Sequence, residues 1–181
     1  MTTSSTRVQR VLERLEIPEG VRVEIIFGEI LLSPSSDLAT NLIVASLLDQ
    51  IPYGKWHGLT KQSLSFPGDV GEPQPDLVVF ERGPVEELPA AAVTLVVEVV
   101  TKPSALRDHR TKRELYAQGG IPAYLIVDPL KAVCVLLTEP TRASVSGLPD
   151  YTVMRTVKFG EPIPVDLLDV TLDTSEFQAY S

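Results

Sequence analysis

The chain has 181 residues, of which 44% are hydrophobic and 22% are charged, and its formal net charge is −8. This length and composition predict one folded domain with a sizeable core, and they exclude a disordered chain. The acidic balance argues against a protein that coats nucleic acid with a wide basic face, but it allows a compact site that meets phosphate through a bound metal.

The single cysteine, Cys134, stands in the apolar run "AVCVLL". One buried thiol forms no disulfide within the chain and no metal cluster, which fits a reducing compartment. The first residues, "MTTSSTRVQRVLERL", lack the apolar core of a signal peptide, and no apolar run approaches the ~20 residues of a membrane span. These features predict a cytoplasmic protein that does not enter a membrane.

The first third of the chain predicts a helix, a hairpin and a second helix. Apolar residues recur at helical spacing over Thr6–Glu16. The stretch "VRVEIIFGEILLSP" has two strand-like halves that meet at Phe27-Gly28, which indicates a hairpin. Residues 38–51 are predicted to form an amphipathic helix with Asp37 or Ser36 as its N-cap, and its apolar stripe is Leu42, Ile43, Leu47, Leu48 and Ile51.

The rest of the chain predicts several strands and one long helix. "DLVVF" and "LVVEVV" are short hydrophobic runs typical of interior strands, and the second predicts a central strand. A helix is expected from Ser104 to Gln118, ended by Gly119-Gly120, and "AYLIVD", "AVCVLL" and "YTVMRTVKF" follow as strands. This order predicts a mixed α/β or α+β domain in which helices flank one central sheet.

Glu98 interrupts "LVVEVV", and an ionised carboxylate inside a sheet costs several kcal/mol unless it is paired or binds a metal. Strand alternation places Glu98 on one face with Val96 and Val100. A second carboxylate, Asp76, opens the preceding strand, and two such groups converge favourably when a divalent cation lies between them. The alternatives are a buried salt bridge for Glu98 and a simple turn role for Asp76.

The helix after the Glu98 strand carries Asp108, Lys112 and Tyr116 at four-residue intervals. These side chains lie nearly one above another on the helix surface. If the helix packs back on the strand, Lys112 points at the carboxylate pair. The alternative is a solvent-exposed Asp–Lys pair worth a few tenths of a kcal/mol.

Together these motifs resemble the Uma-two family of restriction-endonuclease-like proteins, within the PD-(D/E)XK nuclease superfamily. The resemblance runs from about Val23 to Pro129 and weakens towards the end. Its motifs, in chain order, are "EIIFGEILLSP" from Glu24 to Pro34, Pro75-Asp76, Glu98-Val99, the Asp108, Lys112 and Tyr116 series, and "GIPAYLIVDP".

The resemblance implies a single nuclease-like domain over residues 1–181, with its core at about 20–135. It implies that Asp76, Glu98 and the Val99 carbonyl bind Mg²⁺, or Mn²⁺, and that Glu24 completes the cluster. The superfamily lysine two residues after the glutamate is Val100 here, so the resemblance transfers that role to Lys112 on the following helix.

The resulting hypothesis is metal-dependent hydrolysis of phosphodiester bonds in nucleic acid, with DNA preferred over RNA as partner. Lys112 would orient the attacking water, Tyr116 would hydrogen-bond a carboxylate or phosphate, and Asp108 would hold Lys112. A homodimer is also expected. The alternative function is an inactive nuclease-fold module for binding or assembly, because the stretch "SSDLATNLIV" lacks a histidine that family members often carry there.

Overall fold

The computed structural model describes residues 10–34, 37–67 and 70–180. Two short 3₁₀ helices lie at Ala90–Ala92 and Asp166–Leu168, in addition to the elements given next. The elements are β1 Val21–Ile26, β2 Glu29–Pro34, α1 Leu38–Gln50, β3 Trp56–Thr60, β4 Gly71–Glu72, β5 Leu77–Glu81, β6 Val93–Val99, the π-turn Arg107–Thr111, α2 Lys112–Gln118, β7 Ala123–Asp128, β8 Val133–Thr141, β9 Asp150–Lys158, β10 Ile163–Val165 and β11 Val170–Leu172.

Within the described residues, six strands form the central sheet in the order β3-β5-β6-β7-β8-β9. β6 and β7 are parallel, and the chain between them carries the π-turn and α2; the other neighbouring strands in this sheet are antiparallel. A smaller sheet, β2-β1-β4, and a β10-β11 hairpin complete the strand pairing. The predicted mixed sheet with flanking helices is confirmed, and "LVVEVV" lies in a central strand.

The central sheet buries side chains on both faces, because its inner strands are nearly continuous runs of valine, leucine and isoleucine. The face that includes Leu77, Val97 and Leu125 packs with Ile43 and Leu47 of α1, and we call it the α1 face. The opposite face, with Val78, Val96, Tyr124 and Ile126, packs with Leu115 and Tyr116 of α2, and we call it the α2 face.

Helix α1 begins at its predicted cap, because the Asp37 carboxylate accepts a hydrogen bond from Thr40 N–H at 2.8 Å. Ser36, the other candidate cap, lies outside the described residues. One residue of the predicted apolar stripe is misplaced: Leu42 is 58% exposed, while Val44 is buried. The buried stripe therefore runs through Ile43, Val44 and Leu47, with Val44 in it and Leu42 outside it.

The hairpin predicted at Phe27-Gly28 is confirmed by β1 and β2, which pair antiparallel on either side of it. Phe27 and Gly28 both have positive φ, at 50° and 78°. Two successive positive φ angles are the mark of the tight turn whose twist matches paired strands. The predicted N-terminal helix lies mostly outside the described residues. The part of it that the structure describes is helical at residues 10–12.

Candidate functional site

A cavity of about 470 Å³ opens where β5 and β6 meet the start of the helix that follows β6. Most of its lining residues are polar or charged. The lining residues that matter most are Arg22, Asp76, Glu98, Val99, Arg107 and Asp108. Asp37, Thr40 and Tyr180 close another side of the cavity.

Asp76 and Glu98 come from neighbouring antiparallel strands. Leu77 and Val97 are the last residue pair of β5 and β6 at this end of the sheet. Asp76, directly before Leu77, and Glu98, directly after Val97, lie one position beyond that pair. Both carboxylates therefore lie towards the α2 face, and both line the cavity although they are only 3% and 1% exposed. Asp76 Oδ2 accepts a hydrogen bond from Val99 N–H at 2.9 Å, which ties the two strand ends together.

Lys112 lies between two of the predicted site carboxylates and is fully buried. Its Nζ is 2.7 Å from Glu98 Oε1 and 2.9 Å from Glu24 Oε1. The helix folds back on β6, which is the arrangement under which Lys112 was expected to point at the carboxylates. Lys112 contacts Glu24 and Glu98 within the protein interior, however, and it does not line the cavity.

Tyr116 and Asp108 extend the same cluster. Tyr116 O–H donates to Glu98 Oε1 at 2.6 Å, so this one oxygen accepts from both Tyr116 and Lys112. Asp108 is 4.0 Å from Lys112 Nζ and accepts a hydrogen bond from Ser104 O–H. Asp108 lies inside the π-turn Arg107–Thr111, which widens the helix where it meets the site.

The electrostatics of the cluster follow from burial and close pairing. Burial raises the pKa of Glu98 to about 8, with Asp76, Asp108 and Glu24 adding to the effect and Lys112 opposing it. Burial alone would lower the pKa of Lys112, but Glu98 and Glu24 raise it above its ordinary value. Burial likewise would raise the pKa of Glu24, yet Lys112, the Gln74 N–H and Arg22 hold it below its usual range.

Several buried polar atoms of the site have no hydrogen-bond partner among the described residues. They are Arg22 Nε, Glu24 Oε2, Ser33 Oγ, Arg107 Nε and Asp108 Oδ1. All of these residues except Glu24 line the cavity. Native proteins satisfy nearly all buried polar groups, so unmet donors and acceptors on a cavity wall indicate a polar ligand or ordered water.

Two residues that the sequence analysis missed lie in the cavity wall. Arg22 Nη1 contacts Asp76 Oδ1 at 3.0 Å and donates to the Gln74 carbonyl at 2.9 Å. Its position two residues before Glu24 on one strand face was a usable signal. Tyr180 reaches the site from the C-terminal tail, where its O–H donates to Asp37 Oδ2 at 3.1 Å, and no sequence pattern predicted this.

Thr40 lies in the stretch "SSDLATNLIV", which lacks the histidine that family members often carry there. Its Oγ1 lies 3.2 Å from Tyr180 Oη, and the side chain lines the cavity. The two histidines of the chain lie elsewhere. His57 stacks near Phe80 on the outer part of the sheet, and His109 Nε2 is 2.9 Å from Asp128 Oδ2.

The donors that could hold a divalent cation are Asp76, Glu98 Oε2 and the Val99 carbonyl, all hard oxygens on one cavity wall. Glu24 faces Lys112 instead of the cavity. Over residues 10–34, 37–67 and 70–180, no group of three or more His, Cys, Asp or Glu side chains is arranged to hold a metal. The residues present fit a cation that keeps several water ligands, as Mg²⁺ commonly does.

The described helices include none that is both long and apolar enough to cross a membrane.

A mixed sheet with Asp, Glu and Lys side chains gathered at the ends of two central strands defines the nuclease-like class of fold. The sequence profile of the Uma-two family, described as "putative restriction endonuclease", matches residues 10–173. The chain therefore belongs to this family.

A solved structure supports the fold assignment. It is a crystal structure described as a putative nuclease belonging to DUF820 from Anabaena variabilis, and it superposes with a TM-score of 0.71 at 13% sequence identity. The match covers 94% of this chain and 96% of that one. The search of curated proteins finds no match.

Proposed function

We propose that the protein is a divalent-metal-dependent endonuclease that hydrolyses phosphodiester bonds in nucleic acid, with DNA preferred over RNA. The observation that carries this proposal is the fully buried Lys112, held between Glu98 and Glu24 behind a cavity that Asp76 and Glu98 line. Family membership supports a nuclease-like function. Metal dependence and turnover are the parts that need experiment.

The charge of the cluster supports a cation site. Glu24, Asp76, Glu98 and Asp108 face Lys112, Arg22 and Arg107, which leaves a formal excess of one negative charge when all seven groups are ionised. A divalent cation is attracted to that excess. Bound by Asp76, Glu98 and the Val99 carbonyl, Mg²⁺ or Mn²⁺ would supply Lewis-acid stabilisation of charge on a phosphoryl oxygen.

We assign Lys112 and Tyr116 the role of positioning Glu98. Both contact Glu98 Oε1, so Glu98 Oε2 is the oxygen left for a ligand in the cavity. The lysine charge also favours the ionised form of a carboxyl that burial otherwise protonates. A direct role of Lys112 in orienting water remains a prediction, because Lys112 does not line the cavity.

Arg22 and Arg107 are suited to hold the phosphodiester backbone. Each has a buried Nε without a hydrogen-bond partner among the described residues, although Arg107 Nε lies 4.0 Å from Asp108 Oδ1, and each lines the cavity. Guanidinium groups bind phosphate oxygens with charge-assisted hydrogen bonds. Lys102 also lines the cavity and adds a third positive charge to its wall, although the chain as a whole has a net charge of −8.

The test is a cleavage screen over single- and double-stranded DNA and RNA, with Mg²⁺, Mn²⁺ or EDTA. We expect cleavage that requires the metal and that Asp76→Asn abolishes. The matched control is Asp49→Asn, the same change at an exposed position on α1 outside the cavity, which retains full activity.

Calorimetric titration of Mg²⁺ and Mn²⁺ separates the proposal from its alternative. Metal binding that Asp76→Asn removes, without cleavage of any substrate, would favour the inactive binding or assembly module. That alternative draws support from the existing ion pairs of Lys112 and Arg22, which already neutralise part of the carboxylate charge. Equal activity of wild type and Asp76→Asn would overturn the assigned site.

A further inference from the structure

Strand β9, Asp150–Lys158, forms one end of the central sheet. It pairs along its whole length with β8, and no described segment pairs with its other edge. Its middle is exposed, including Val153 at 42% and Met154 at 62%. A row of unpaired main-chain donors and acceptors therefore faces outward beside apolar side chains.

Such an edge normally carries protection against pairing with another chain. Natural proteins shorten edge strands, or place proline, bulges or several charges on them. β9 has nine residues, no proline, and only Arg155 as a charge between its two end residues. The opposite edge strand, β3, has five residues. β9 therefore lacks the features that normally prevent an edge strand from pairing with a strand of another chain.

The sequence of β9 is complementary to itself in one antiparallel register. Two copies paired edge to edge are related by a two-fold axis perpendicular to the sheet, so opposed residues point to the same face and their numbers have the same parity. Centring the axis on Met154 places Asp150, which also pairs with Arg113 of its own chain, opposite the partner's Lys158, twice, and Thr152 opposite the partner's Thr156. Opposite charges and paired threonines across strands are both stabilising.

The neighbouring registers lack this complementarity. Centring on Arg155 places two guanidinium groups directly opposite each other, which is unfavourable. Centring on Val153 places Asp150 opposite the partner's Thr156 and leaves Lys158 beyond the end of the paired strand. Lys158 forms no salt bridge among the described residues, so it is available for an acidic partner.

A groove beside β9 adds to this surface. It has a volume of about 440 Å³ and is lined mainly by apolar groups, with Val153 and Leu167 at its exposed side. In the Met154-centred register the partner's Arg155 lies opposite Val153, next to this groove. The groove is lined by Arg155 of the same chain and by the exposed carboxylates of Glu139 and Asp166, so two acidic groups face two guanidinium groups there.

We infer that β9 is the homodimer interface of the protein, with two β9 strands paired antiparallel about Met154 to form one continuous sheet. The occupant of the edge is a second copy of this chain. The inference does not depend on the proposed nuclease activity, since β9 contributes no residue to the cavity that Asp76 and Glu98 line.

The first experiment measures oligomeric state by sedimentation velocity from about 1 to 200 μM. We expect a dimer that Met154→Asp converts to monomer, because two carboxylates then meet at the two-fold axis. The control is Val145→Asp, which replaces a fully exposed side chain outside β9 and retains the dimer. Thermal melting verifies that both variants fold. A monomeric wild type, or a dimer unaffected by Met154→Asp, overturns the inference.

The second experiment tests the register by oxidative cross-linking. Residues opposed across an antiparallel pair have Cα atoms about 4.5–5.5 Å apart, within the range of a disulfide. Met154→Cys is therefore expected to form a covalent dimer, while Arg155→Cys is not, because its opposite residue is Val153. Native Cys134 is fully buried and does not interfere. Cross-linking of Arg155→Cys to an equal extent contradicts the Met154-centred pairing.

Discussion

The two faces of the central sheet are built from the same strands but differ in chemistry. The α1 face buries Leu77, Val97, Val99 and Leu125 under apolar residues of α1, and the buried charged residues among those described lie elsewhere. The α2 face alternates with it residue by residue, and there Asp76, Glu98 and Lys112 are buried among aromatic and aliphatic groups. One face is a core, whereas the other combines a core with a polar site that is stable only when its charges remain paired.

The largest effect on stability is expected when the positive charge of Lys112 is removed. Lys112→Met leaves Glu24 and Glu98 buried without their partner, and we expect a loss of about 3–5 kcal/mol in the free energy of unfolding at pH 7. Urea denaturation measures it. The double variant Lys112→Met with Glu24→Gln is expected to recover part of the loss, since it removes one uncompensated charge. A single variant as stable as wild type would mean that the cluster is hydrated and unpaired.

The corresponding change on the α1 face is a cavity without a charge. Leu125→Ala removes a fully buried side chain, and we expect a loss of about 2–4 kcal/mol. This variant should bind Mg²⁺ with unchanged affinity in calorimetry at a temperature where it is folded. A large change in metal affinity would show that the two faces are coupled through the strands.

A third comparison concerns pH and the end of β7 on the α2 face. Asp128 accepts hydrogen bonds from Leu130 N–H and Lys131 N–H and contacts His109 and Lys131. Burial alone would raise the pKa of Asp128, but the hydrogen bonds from His109 and Lys131 lower it below the ordinary value. A lowered pKa in the folded state means that the stabilisation is present above the ordinary carboxyl pKa and is lost as pH falls through the lowered one.

Asp128→Asn is therefore expected to lose about 1–2 kcal/mol at neutral pH, with the difference from wild type shrinking only under acid conditions. Denaturation at pH 7, 5 and 3 provides the measurement. Asp49→Asn, an exposed carboxylate on α1, should show little difference at any pH. A difference between Asp128→Asn and wild type that widened towards acid would contradict the assigned direction.

The smallest expected effect on stability is at the cavity rim. Tyr180→Phe removes one partly exposed hydrogen bond to Asp37, so we expect a change within about 0.5 kcal/mol. If Tyr180 contacts substrate, as its position in the wall suggests, cleavage at low substrate concentration falls several-fold while metal affinity is unchanged. Cleavage rates at low substrate concentration and calorimetric Mg²⁺ affinity distinguish this from a purely structural role, for which neither the rate nor the affinity changes.

The parts of the site that could be predicted from the sequence are those where a residue conflicts with its surroundings. Glu98 was identifiable because a carboxylate inside an apolar strand requires a partner, and Lys112 because its helix follows that strand. Arg22 and Tyr180 were missed because their place in the wall depends on how β1 and the C-terminal tail pack, which no local pattern records. The π-turn also escaped, since its sequence is that of an ordinary helix.

The fold shows the same division. Asp37, Phe27 and Gly28 were identifiable because capping and positive φ angles are local requirements with few solutions. The stripe of α1 was misplaced at Leu42, because the helix carries apolar residues around much of its circumference and the sheet decides which of them it covers.

The Arg22–Asp76 ion pair joins residues 54 positions apart, while Lys112 and Glu98 are separated by only 14. During folding, closing the longer loop costs more chain entropy than closing the shorter one, and Lys112 must also lose its hydration before Glu24 can reach it. We therefore predict that the charge cluster forms after β5, β6 and β7 have associated. Substitutions at Lys112 should accelerate unfolding while leaving the refolding rate nearly unchanged, so this cluster determines how long the native state persists more than how quickly it forms.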